Sequence, residues 1–121
     1  MVLAQLLSED RVPPVSLWDA LLVSSRLLEY EVWTRLNGRG LARSHGELAR
    51  DILARIAMVE LLPAVLARAL EPFPRPVRTL DALHLASADY LANARQSVAL
   101  ATYDDRMSAA AAAMSIPLYA L

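Results

Sequence analysis

Between residues 44 and 56, Leu48, Ile52 and Ile56 recur at every fourth position with charged residues between them, which predicts an amphipathic helix with one apolar stripe. The apolar run at 21–24 is too short for a helix and predicts a buried strand, after which Ser24 or Ser25 caps a helix to about residue 36. Asn37, Gly38, Arg39 and Gly40 stop that helix. Upstream, residues 2–7 read as helix, ended by Val12, Pro13 and Pro14. Downstream, residues 57–61 predict a strand, Pro63 opens a helix to about residue 70, and Pro72, Pro74 and Pro76 form a stiff connection. Thr79 is the expected N-cap of a helix to about residue 92. A buried strand at 97–101, a helix capped by Asp104 and running to about residue 114, and a short strand at 116–119 complete the pattern.

Strands that alternate with helices predict an α/β fold with a mainly parallel sheet, because parallel neighbours need crossover connections. The expected architecture is three-layered, α/β/α, and ligands in such sheets bind where strands end and helices begin. At 121 residues the chain is expected to form a single domain, 1–121. Its hydrophobic share is 56%, yet no run approaches the roughly 20 apolar residues that span a bilayer, so a soluble protein with no membrane partner is expected. The N-terminus reaches Ser8, Glu9 and Asp10 too soon for a signal peptide, which points to the cytoplasm.

The absence of cysteine excludes disulfides and thiolate metal sites, leaving oxygen or histidine ligands and favouring Mg²⁺ or Mn²⁺ over structural zinc. A net charge of −1 excludes nucleic-acid binding by bulk charge, so any RNA contact must be local. All twelve basic residues are arginine. That suits phosphate recognition by the guanidinium fork, and equally it is what GC-rich coding DNA produces. The alanine run at 109–113 is accounted for by helix propensity.

Three acids stand out by context: Glu31, Asp81 and Asp104, each expected at a strand-to-helix junction or in the first turns of a helix. Asp81 is the least ordinary, because its predicted helix is apolar on most sides and an unpaired buried carboxylate is costly. Each also has a plain structural reading. Acids near helix N-termini are stabilised by the dipole, Asp104 reads as a cap, and a mid-helix glutamate such as Glu31 ordinarily faces solvent.

The stretch Leu22-Val23-Ser24-Ser25-Arg26-Leu27 with Glu31, the block Arg78-Thr79-Leu80-Asp81-Ala82-Leu83-His84-Leu85-Ala86-Ser87-Ala88, and Thr102-Tyr103-Asp104 followed by Arg106-Met107 resemble, in order, the second, third and fourth acidic motifs of PIN-domain ribonucleases of the VapC toxin family. The middle block is the most specific. The resemblance implies a PIN-like fold whose carboxylates gather around Mg²⁺ or Mn²⁺, with Asp81 and Asp104 as metal ligands, Glu31 ligating directly or through water, and all three as the catalytic set. It further implies Thr102 and Ser25 in supporting roles and Arg26, Arg78 and Arg106 as phosphate contacts. Glu29 is expected to be solvated or ion-paired, Asp105 to cap a helix, and His84 to be packed.

Members of that family open with an apolar strand ending in an aspartate, then a helix, and here Met1-Val2-Leu3-Ala4-Gln5-Leu6-Leu7 resembles the helix. The expectation is therefore an N-terminally shortened PIN-like domain lacking the first strand and first acidic motif. A start codon placed too far downstream is the preferred origin, beside a shortened chain or a degraded copy. By resemblance, the leading function is the endoribonuclease toxin of a type II toxin–antitoxin system, with an RNA substrate, a cognate antitoxin and a homodimer as partners. The alternative is a catalytically impaired PIN-like module that binds antitoxin or itself.

Overall fold

The structure, a computed structural model, describes residues 12–121, so the helix expected at 2–7 lies outside the described residues. The chain divides into two compact units that join in sequence between Val59 and Glu60.

In the first unit a 3-10 turn, Val15–Asp19, precedes strand β1, Leu22–Ser25. Helices α1, Leu27–Gly38, and α2, Ala42–Ala54, then lead to strand β2, Ile56–Val59. β1 and β2 pair in parallel with Leu22 opposite Ile56 and Ser25 opposite Val59, so the two helices form the crossover that parallel strands require. The Arg26 N–H donates to Val59 O at 2.8 Å and extends the pairing by one residue. Val32 and Leu36 of α1, Ala49 and Ile52 of α2 and Ile56 of β2 form the core, with Trp18, Trp33, Leu22 and Leu28 packed on it.

The buried stripe of α2 differs from the expected one. Leu48 is exposed, while Gly46, Ala49 and Ile52 are buried. The cause is Trp33, whose indole lies on Gly46 and turns the small-residue side of α2 toward α1. A Cβ at Gly46 would meet Trp33 Cη2 at 3.2 Å, and the Arg50 guanidinium sits 5.0 Å from the centre of the same ring. Gly46→Leu should therefore destabilise the chain by about 1–3 kcal/mol through overpacking, even though Gly in a helix interior is itself unfavourable. Chemical denaturation checks this, and an unchanged midpoint would mean that the indole moves aside freely.

The second unit holds α3, Pro63–Ala69, α4, Thr79–Asn93, and α5, Asp105–Ala113. Pro63 occupies the first turn of α3, where its missing N–H is no loss. Leu85, Met107, Ala110, Ala111 and Ile116 form the core, joined by Phe73, Val77 and Leu100. Arg95 and Ser115, both at φ 61°, turn the chain out of α4 and α5. The strands expected at 97–101 and 116–119 are reduced to one parallel bridge, Leu100 to Leu118. Leu100 N–H donates to Pro117 O at 2.7 Å, and Tyr119 N–H donates to Leu100 O at 2.8 Å. Ser97 and Ala99 are exposed while Val98 and Leu100 are half-buried, so the segment covers the helical core on one face only and is not a fully buried strand.

One guanidinium ties this unit together. Arg68 Nε of α3 donates to Asp89 Oδ2 of α4 at 2.9 Å, Nη1 donates to Pro72 O at 3.4 Å, and the group lies 4.3 Å from the centre of the Phe73 ring.

Candidate metal and active site

Ser25 ends β1 and is buried, and its Oγ accepts from the Leu27 N–H at 3.1 Å, satisfying one of the free donors at the start of α1. Neither serine proposed as a cap holds the N-cap position, which falls to Arg26 with no side-chain bond across it; Ser25 bonds the helix start from one residue further back. Glu31 follows on α1 and is half-buried in the first unit. Glu29 is ion-paired as expected, its Oε2 lying 3.0 Å from Arg26 Nη1. The two side chains are 37% and 44% exposed, so the pair contributes little to stability. Arg26 and Glu29 also border a cleft of about 360 Å³ with Trp33, Arg50, Ile56 and Met58. Glu29 and Trp33 are one helical turn apart, whereas Glu31 lies about 200° around α1 from either, so cleft and Glu31 occupy different faces.

Asp81 occupies the first turn of α4 and is half-buried. The cap of that helix differs from expectation. Arg78, in extended conformation, holds the N-cap position and no side chain bonds across it, while Thr79 is already helical. The start of α4 thus leaves an electropositive end beside the Asp81 carboxylate. One turn on, His84 is half-buried, and Ala82, Leu85, Ala86 and Ser87 are buried.

The start of α5 is more tightly built. Thr102 Oγ1 accepts from the Asp104 N–H at 3.1 Å, and Asp104 Oδ1 accepts from the Met107 N–H at 2.9 Å. Asp104, not Asp105, is therefore the cap. Its φ of −81° and ψ of 117° give the extended backbone that an N-cap adopts, while Asp105 is the first helical residue. Asp104 is exposed, and its Oδ2 has no hydrogen-bond partner among the described residues. Arg78 and Arg106 are exposed near the two helix starts that carry Asp81 and Asp104.

The second unit thus places two carboxylates at helix N-termini, both hard oxygen donors of the kind that suits Mg²⁺ or Mn²⁺. Glu31 belongs to the first unit. Among the described residues, neither unit by itself gathers three carboxylate or histidine side chains into a metal-holding cluster. The Arg68–Asp89 pair escaped sequence reasoning. The signal was Asp89, eight residues after Asp81 on the same helix, but nothing local tied it to an arginine twenty-one positions earlier.

Glu31 on α1 thus follows Ser25, Asp81 stands in the first turn of α4 and Asp104 caps α5. A PIN-domain profile matches residues 2–113, and the chain belongs to the PIN-domain family, with its α/β/α fold. Two curated relatives, both called Ribonuclease VapC35 and from Mycobacterium tuberculosis strains CDC 1551 / Oshkosh and ATCC 25618 / H37Rv, are each 39% identical to it over 71 residues. That stretch is 58% of this chain and 52% of each relative, so the match spans about half the length of these proteins. No solved structure matches. No helix among the described residues is long and apolar enough to cross a membrane.

Proposed function

We propose that this chain is a metal-dependent endoribonuclease, the toxin of a toxin–antitoxin pair, which hydrolyses RNA phosphodiester bonds with Mg²⁺ or Mn²⁺. The PIN-domain match over residues 2–113 carries this reading, and the 39% identity to relatives named as ribonucleases supports it. Asp81, Asp104 and Glu31 are the residues proposed to hold the ion and form the catalytic set. When bound, such an ion polarises the phosphate and lowers the pKa of water.

The chain's own groups have distinct tasks. Thr102 accepts the Asp104 N–H and Met107 donates to Oδ1, so the carboxylate is held at one oxygen and presents the other to solvent. Ser25 fixes the start of the helix that carries Glu31. Arg78 and Arg106 are proposed to bind substrate phosphate through planar, always-charged forks. Arg26 would join them by exchanging Glu29 for phosphate. A small antitoxin and a second copy of the chain are the proposed protein partners, in the cytoplasm and within one PIN-like domain. The exposed Leu62, Leu66 and Leu70 give such partners apolar surface to cover.

The test is cleavage of a mixed RNA pool with Mn²⁺, with EDTA, and with Asp81→Asn. Cleavage should vanish in EDTA and fall about 100-fold or more in the variant, since even outer partners of metal ligands are worth about 10–100-fold. A folded chain that cuts nothing under any condition would replace this reading with the catalytically impaired module that binds antitoxin or itself.

A further inference from the structure

We infer that Arg68 is a positioning residue for Asp81, a role that rests on the proposed reading of Asp81 as a metal ligand. Residues 70–78 join α3 to α4 without regular structure. The three prolines there stiffen the backbone and remove N–H groups that would anchor it. Arg68 supplies the anchor, holding Pro72 O, covering Phe73 and gripping Asp89 on α4. Both side chains of the Arg68–Asp89 pair are only 23% exposed, so solvent screens it less than the Arg26–Glu29 pair.

Asp89 lies eight residues beyond Asp81, about 12 Å along the helix and roughly 80° around it. The 15-residue helix has no proline or glycine to kink it, so a shift at Asp89 is passed along it toward Asp81. Arg68 thus fixes the first turn of α4 twice, through the helix body and through the segment that leads into it. A displacement of about 1 Å at a reacting group is enough to cost about 100-fold in rate. Lysine does not replace this residue, because one ammonium cannot donate from separate nitrogens to Asp89 and Pro72 O while laying a flat face on Phe73.

The experiment compares the parent chain with Arg68→Met, Arg68→Lys, Asp89→Asn, the Arg68→Met/Asp89→Asn double variant and Asp81→Asn. It follows amide hydrogen exchange at residues 80–84, Mn²⁺ binding by the electron paramagnetic resonance of the free ion, and RNA cleavage, all well below each unfolding midpoint. Arg68→Met and Asp89→Asn should speed exchange in that turn about 10-fold and weaken Mn²⁺ binding by about as much. The loss of cleavage should fall in kcat more than in KM, the double variant should be no worse than either single one, and lysine should restore little. Folded Arg68→Met or Asp89→Asn chains with unchanged exchange at 80–84 and unchanged Mn²⁺ affinity would overturn the inference. If Asp81→Asn itself leaves Mn²⁺ affinity intact, the metal reading of Asp81 is what fails, and exchange alone still decides whether Arg68 holds the turn.

Discussion

Asp104→Asn should leave stability within a few tenths of a kcal/mol of the parent while lowering Mn²⁺ affinity and RNA cleavage by about 100-fold or more. The side-chain oxygen that accepts from the Met107 N–H survives in asparagine, which caps helices as well as aspartate does. What disappears is the charge on the second oxygen, the one turned to solvent. Asp104→Ala removes both, so it should lose cleavage to the same extent and in addition destabilise α5 by about 1 kcal/mol. Thermal unfolding beside isothermal Mn²⁺ titration separates the two roles. If asparagine retained full affinity, Asp104 would be a cap and nothing more.

The largest loss of stability is expected for Leu85→Ala, about 2–5 kcal/mol and toward the upper end of that range. Leu85 is fully buried among Met107, Ala110, Ala111 and Ile116. Two of those neighbours are alanines within α5, whose short side chains cannot extend into the space left behind, so the cavity stays open. Leu36→Ala should do comparable damage in the first unit, where Leu36 is equally buried. Against a total of about 5–15 kcal/mol, either change is severe. If residues 1–121 unfold as one domain, calorimetry should show both variants lowering the same transition. Two transitions, each moved by only one of the variants, would overturn that expectation.

The parts of the fold legible in the sequence were those decided locally. Pro63 at a helix start, Asn37 to Gly40 at a helix end and Asp104 before an alanine-rich helix each act through their own few neighbours, and the structure places helix boundaries beside them. Leu48 shows where local reasoning fails. Its four-residue spacing with Ile52 was real, but the face of α2 that turns inward was chosen by Trp33 lying on Gly46, a contact with another helix. The segments at 97–101 and 116–119 have strand-like composition, yet pairing depends on what lies alongside, and they meet only at Leu100 and Leu118. Asp104 as cap was legible because capping is a bond to a residue three positions on. The grouping of Glu31 with Asp81 and Asp104 was not, since periodicity says nothing about residues fifty or more positions apart. It came only from the resemblance of the ordered motifs, and the grouping stays part of the proposal; the family match bears on the domain as a whole.

Both tryptophans of the chain, Trp18 and Trp33, pack on the core of the first unit, and Trp33 does so beneath the guanidinium of Arg50. Indole emission therefore arises within that unit, while the aromatic rings of the second, Phe73, Tyr90, Tyr103 and Tyr119, are silent when excitation is confined to the red edge of the indole band. Far-ultraviolet ellipticity, by contrast, sums the helices of both units. The protein thus carries a built-in optical reporter, and overlaying the two denaturation curves shows directly whether a change made in the second unit is felt by the indoles of the first.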